Sequence, residues 1–350
     1  MATADSSVES VVEETVPALY RRPSPDATPC TAADLDLPEK MDGDGPLVSV
    51  ILPTYNDEEY LPDAVESVGA QTHRNLELIV VDSSRVSWVE ALADDREWVR
   101  YLSQDPMGLP RARNDGVDLA TGEFIALLDA DDYWHPEKLE LSLNRLEDEA
   151  DVVYTEVQKV DLRDDRARSI EYVDQFPPGD DPLIERINGS FIAYPSSVVF
   201  RRSALPNRPF NESLDAWEDA YFNIETFRNH HPEHVPYPLT IRRIRDDSIS
   251  NDSEMMVRNK LRGIEMLEDR YPELVEHFDG PRAKNHKRLG RVLLRRDEKH
   301  EARRHLAAGL RLEPLDYQLL VMYGASFVPV DGNRSMDVLA SLHDAILSGE

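Results

Sequence analysis

From Leu47 onward, apolar runs of strand length alternate with segments whose apolar residues recur every three or four positions. Val48–Leu52 is continuous and rich in β-branched residues, the pattern of a strand buried on both faces of a parallel sheet. Leu76–Val81, Trp98–Leu102 and Phe124–Leu128 predict three further strands. Between them, Asp57–Ala70 carries Leu61, Ala64, Val65 and Val68 at helical spacing, and Ala112–Leu119 reads as a second helix. Pro136–Leu146 reads as a third, opening on a proline where a helix has no partner for an N–H. This alternation predicts a doubly wound, Rossmann-like, mostly parallel α/β sheet with its ligand crevice at the C-terminal strand ends.

Val152–Val160 and Ser197–Phe200 are further strand candidates. The polar stretch Asp161–Asp181 between them, with Pro177, Pro178 and Gly179, reads as loop, and Trp217–Asn229 as helix. From Asn251 the pattern is helical. Ala302, Leu306, Ala307 and Leu310 share one face of Glu301–Leu312, as in a single tetratricopeptide-type hairpin, but no period repeats. Residues 1–45 hold Pro23, Pro25, Pro29 and Pro38 without sustained periodicity and read as a disordered acidic leader. The expected domains are therefore 1–45 leader, 46–250 α/β domain and 251–350 helical extension.

Composition narrows the function classes. The 39 basic and 68 acidic residues leave a net charge of −29, which disfavours nucleic acid as a partner. A single cysteine, Cys30, excludes a disulfide framework and a cysteine-based zinc site. No apolar run reaches membrane-spanning length, no basic amphipathic helix is read that would dock the chain on a membrane by itself, and the acidic start lacks a secretory signal's apolar core. The expected location is cytoplasmic. The basic residues are 32 Arg and 7 Lys, and an acidic, lysine-poor chain is similar to proteins of salt-loving archaea, where screening tolerates self-repulsion.

Five segments carry candidate chemistry. In VSVILPTYNDEEYL a buried strand runs into Pro53, Thr54, Tyr55 and Asn56, with Tyr55 available to stack on a flat ring. In LELIVVDSS, Asp82 ends the second strand, where a carboxylate can accept hydrogen bonds from a ribose or base, or cap a turn. In the block from Met107 to Trp134, Asp129, Asp131 and Asp132 follow an uncharged strand. Carboxylates at i and i+2 there suit a hard cation in diphosphate company, and Arg111 and Arg113 upstream suit phosphate or a solvated helix face. In LDAWEDAYF, Trp217 can floor a sugar ring, while Glu218 and Asp219 are candidate general bases or partners of a helix dipole. In IRRIRDDSIS, Arg242, Arg243 and Arg245 suit a diphosphate or surface ion pairs.

In order and spacing, these segments resemble the family 2 glycosyltransferases of GT-A fold, over Leu47 to Ser250. VSVILPTYN resembles the family's opening strand, RARND through DADDYW its most specific block (with the DXD motif), and WEDAYF its later acidic motif. The resemblance implies a metal-dependent, inverting enzyme of hexosyltransferase type that moves a sugar from a nucleotide-diphosphate sugar to an acceptor hydroxyl. Pro53, Thr54 and Tyr55 would line the nucleoside site, with Asp82 on base or ribose and Asp129 on nucleotide or donor sugar. Asp131 would ligate Mg2+ or Mn2+, and Arg111, Arg243 and Arg245 would face the diphosphate. Asp219 would be the general base, with Glu218 behind it and Trp217 at the sugar or acceptor. Two departures stand out: Arg245 where the family often has His, and Ser83 where it often has a second, base-reading acid.

With a haloarchaeal source, the resemblance extends to lipid-linked (dolichyl phosphate) glycan assembly in protein N-glycosylation or surface polysaccharide, with peripheral contact at the inner membrane face. Two other readings stand against it. A sugar-phosphate nucleotidyltransferase would open with a glycine-rich phosphate loop, where this chain has Pro53-Thr54-Tyr55-Asn56. A non-catalytic nucleotide-sugar-binding or partner-recruiting pseudo-transferase would have lost a metal carboxylate or the base, and both Asp131 and Asp219 are present.

Overall fold

The computed structural model describes residues 37–84, 87–146, 150–161, 193–230, 232–244 and 253–327. It divides into two compact units: Met1–Ser213 with Asp219–Asp247, and Leu214–Glu218 with Ser248–Glu350. Among the described residues, no helix is long and apolar enough to cross a membrane.

The first unit is built on an eight-stranded sheet of order β3-β2-β1-β4-β7-β6-β8-β5. β1 (Val48–Thr54) and β2 (Leu76–Asp82) are almost wholly buried, as their unbroken apolar runs require. β1 pairs in parallel with β2 and with β4 (Phe124–Leu127), and β2 with β3 (Val99–Ser103). In register, Thr54 lies beside Asp82, so the candidate residues of both segments end on one sheet edge. α1 (Leu61–Gly69), α3 (Leu109–Leu119) and α4 (Lys138–Leu143) occupy the helical segments read from sequence. α3 approaches β1 so closely that a Cβ at Gly116 would clash with Ile51.

Beyond β4 the sheet turns mixed. β7 (Val198–Arg201) is antiparallel to both β4 and β6 (Val152–Asp161), and β5 (Tyr133–Trp134) is antiparallel to β8 (Pro232–Ile244). β6 and β8 run parallel, with an irregularity between Thr155 and Val157. The mostly parallel sheet expected from sequence is therefore present with antiparallel insertions. Three elements add to those read from sequence: α2 (Ser87–Asp95), β5 and the 13-residue β8.

Residues 37–45, assigned to the leader by the sequence pattern, are packed on this unit. Met41 is buried, and Trp98 Nε1 donates to the carbonyl of Pro38 at 3.1 Å. Asn75 Nδ2 donates to the carbonyl of Gly45 at 2.7 Å. The packed chain thus begins ahead of Leu47. Residues 1–36 and 162–192 lie outside the described residues, and with them most of the leader and of the polar stretch Asp161–Asp181.

α5 (Glu218–Asn229) returns the chain to the first unit after the turn Leu214–Glu218. The second unit is helical: α6 (Ser253–Arg270), α7 (Val275–Arg295), α8 (Lys299–Leu312) and α9 (Tyr317–Ala325). Leu289, Leu293, Ala302, Leu306 and Leu319 form its core. The hairpin helix read at Glu301–Leu312 is α8; Ala302 and Leu306 are buried, while Ala307 and Leu310 are half-buried. A Cβ at Gly290 would lie 2.6 Å from Leu306, so this glycine sets the α7–α8 approach.

Candidate active site

At the C-terminal ends of β1 and β2, Pro53 is buried and Tyr55 is 55% exposed. Thr54 is buried, and its Oγ1 has no hydrogen-bond partner. Asp82 is fully buried, and its Oδ1 accepts from the amide of Ser84 at 2.7 Å and from its hydroxyl at 2.9 Å. Oδ2 accepts from the Tyr101 hydroxyl at 2.9 Å, and burial together with this carboxylate pushes the Tyr101 pKa up to about 12. Asp82 thus organises the turn after β2. Ser83, in the position of the missing second acid, accepts weakly from Gln104 Nε2 at 3.4 Å, and Gln104 Oε1 is buried without a partner.

The turn after β4 carries the acids. Asp129 Oδ1 accepts from Arg113 Nη2 at 2.7 Å, a pair whose arginine is 1% exposed. Asp132 is buried and accepts the Ser196 hydroxyl at 2.6 Å. Burial, and then the negative charges of Asp131 and Asp129, raise its pKa well above the ordinary carboxylate range. Asp131 is half-buried between them in sequence.

Ser196, just ahead of β7, fixes this turn. Its Oγ accepts the amide of Asp129 at 3.0 Å while donating to Asp132. Its carbonyl accepts from Trp134 Nε1 at 2.7 Å and from Thr240 Oγ1 at 3.0 Å. Ser196 carried no signal in the sequence beyond its place beside a predicted strand.

On β8, neighbouring arginines point to opposite faces, as strand geometry requires. Arg243 is buried: one nitrogen donates to the carbonyl of Asp131 at 3.3 Å, another pairs with Asp63, and its guanidinium lies 4.6 Å from the Tyr133 ring. Arg242 feels the acids. Burial opposes its charge, but Asp132, Tyr194, Asp131 and Asp129 raise its pKa overall. Its guanidinium stacks on Tyr194 at 4.7 Å, and Lys159 Nζ lies 5.3 Å from the same ring. Arg245 lies outside the described residues. Arg111 is engaged elsewhere, pairing with Asp115 at 3.2 Å and Glu212 at 3.6 Å in a cluster that also holds Arg208. Arg113, the other arginine of the same segment, is the one that meets Asp129.

Asp219 lies in the first turn of α5, half-buried, with Oδ1 2.6 Å from the amide of Ala220. The same helix is tied to the Ser196 segment by Asn223 Nδ2, which donates to the carbonyl of Ala193 at 2.7 Å. Trp217 and Glu218 are buried and cluster with the second unit. Trp217 adopts φ +63°, an uncommon conformation for a bulky residue, and Lys260 Nζ lies 5.7 Å from its ring. Asn259 Oδ1 accepts the amide of Asp215 at 3.0 Å.

Among the described residues, no group of three or more His, Cys, Asp or Glu is arranged to hold a metal ion. Asp129 is engaged by Arg113 and Asp132 by Ser196. The acids therefore fit a divalent ion only as hard cations bind with diphosphates, through one or two carboxylates and the phosphate oxygens.

The model of the family described as Glycosyl transferase family 2 matches residues 49–208. An uncharacterized glycosyltransferase of Rickettsia prowazekii (strain Madrid E) is 27% identical over 248 residues, 67% of this chain and 70% of the relative. The crystal structure of S. aureus TarS 1-349 with UDP-GlcNAc superposes with a TM-score of 0.54 at 16% identity, covering 80% of this chain and 90% of that one. The mannosyltransferase PcManGT of Pyrobaculum calidifontis, with GDP-Man and Mn2+, gives 0.51 at 16% identity, covering 96% and 92%. Residues 49–208 thus match the glycosyltransferase family 2 model, and the chain shares a mixed α/β sheet of GT-A fold with these structures.

Proposed function

We propose that the chain is an inverting, metal-dependent glycosyltransferase that moves a sugar from a nucleotide-diphosphate sugar to an acceptor hydroxyl. The observation that carries this reading is the DXD turn itself. Asp129, Asp131 and Asp132 end a buried strand of a family 2 segment, pinned by Ser196 and faced by Arg242. Two proteins of like fold were solved with nucleotide sugars, UDP-GlcNAc and GDP-Man, the second with Mn2+.

In this reading the nucleoside lies on the edge formed by Pro53, Thr54, Tyr55 and Asp82. Tyr55 stacks on the base, and the unpartnered Thr54 hydroxyl gains a partner. Asp131 would hold Mg2+ or Mn2+, which would offset the charge of the leaving diphosphate. Arg242 and Arg243 supply positive potential beside the same turn. Asp219 accepts the proton of the acceptor hydroxyl, whose oxygen attacks the anomeric carbon as the bond to the diphosphate breaks on the opposite face. A single displacement inverts the configuration. The acceptor we favour is a lipid-linked saccharide in glycan assembly at the inner membrane face.

The test is thermal stabilisation of the full chain by UDP- and GDP-sugars with and without Mn2+, since a binding-linked shift grows with the logarithm of ligand over its Kd. The reading predicts metal-dependent stabilisation by one nucleotide class, lost in Asp131→Ala. Stabilisation by none, or one indifferent to Asp131→Ala, contradicts it.

A further inference from the structure

Among the described residues of the second unit, the outer face of α7 collects basic residues against the acidity of the chain. Lys284, Arg288, Arg291 and Arg295 stand at i, i+4, i+7 and i+11, so they fall in one narrow stripe about 16 Å long. Phe278, Leu289, Leu293 and Leu294 bury the opposite side of the helix. Lys284, Arg288 and Arg295 are exposed and Arg291 is half-exposed. None of the four makes an ion pair among the described residues. Several other basic residues of this unit are paired with acids: Arg282 with Glu268, Lys287 with Asp316, Arg296 with Glu254, Arg258 with Glu301. No acid shares the stripe, in a chain of net charge −29. The sequence pattern reads no basic amphipathic helix, but α7 collects its basic residues on one side.

We propose that α7 docks the chain on an anionic lipid surface through Lys284, Arg288, Arg291 and Arg295. The stripe lies on the outer side of α7, C-terminal to Pro281 within the helix, and none of its four residues is Phe, Tyr or Trp. It suits a plane of phosphate headgroups better than a nucleic acid strand, which needs stacking platforms or a groove. Each basic side chain near such a surface adds modestly to binding, so four give reversible attachment rather than anchoring. The inference is independent of the transfer reaction.

The experiment is flotation of the full chain with phosphatidylcholine vesicles, with and without phosphatidylglycerol, at low and high salt. The comparison is with a variant carrying Lys284→Gln, Arg288→Gln, Arg291→Gln and Arg295→Gln. Glutamine keeps helix propensity and these positions carry no core contact, so circular dichroism should be unchanged. The proposal predicts binding only to phosphatidylglycerol vesicles, weakened by salt and lowered on the order of 100-fold in the variant. A variant with Arg262→Gln and Arg311→Gln, exposed but off the stripe, should bind nearly as wild type. Equal binding to neutral vesicles, retention by the quadruple variant, or no vesicle binding overturns it. So does a preference for RNA over vesicles, or a salt-sensitive dimer that the quadruple variant dissolves.

Discussion

Ser196 donates its hydroxyl to the buried carboxyl of Asp132 at 2.6 Å, joining the segment ahead of β7 to the acid turn after β4. The same oxygen accepts the amide of Asp129, so one side chain sets the backbone on which both candidate donor-binding acids stand.

Removing that hydroxyl leaves a buried carboxyl and an amide without partners. Ser196→Ala should cost about 1–3 kcal/mol in urea unfolding and weaken Mn2+-dependent nucleotide-sugar binding more than metal-free nucleotide binding. An unchanged ratio of the two affinities would show that Ser196 supports the fold alone.

The two arginines of the RARND segment should separate sharply. Arg113→Met strips the partner from Asp129 inside a nearly buried pair and should destabilise by about 3 kcal/mol, with loss of donor binding. Arg111→Ala touches a half-exposed cluster and should change stability by about 0.5 kcal/mol or less, with donor affinity unaltered. Calorimetry of donor binding to both variants reads the contrast.

Lys138 is fully buried over the Trp134 ring, its Nζ has no hydrogen-bond partner, and burial lowers its pKa to about 7. The unfolded chain keeps this proton up to its ordinary value near 10.5, so between those limits the unfolded state binds more protons. This group therefore makes stability rise with pH above 7, by up to about 1.4 kcal/mol per unit, and its penalty is fully present below 7. Lys138→Met should remove that slope between pH 7 and 9 and raise stability at pH 6. Denaturation of both proteins across this range checks the sign.

Much of the first unit is legible because its strands are buried on both faces. β1, β2 and β4 have no polar alternation to confuse their reading, and they end at Thr54, Asp82 and the Asp129 turn. β8 is not legible, since Pro232, Pro236 and Pro238 argue against a strand, and it survives beside an irregular stretch of β6. The choice between Arg242 and Arg243 also needs the structure, because a one-residue step on a strand reverses the face. Ser196 is invisible for a different reason: its importance lies in partners more than 40 residues distant. The docking stripe on α7 was hidden by its three- and four-residue spacing, interleaved with the apolar residues of the opposite face.

The central claim is tested most directly by nucleotide-diphosphate release from UDP- and GDP-sugars in the presence of Mn2+, comparing the full chain with Asp219→Asn. The account predicts release from one nucleotide class. In the variant kcat should fall at least about 100-fold, the scale of general-base catalysis, with donor affinity nearly unchanged. No release by the wild type, or equal turnover in Asp219→Asn, would contradict it.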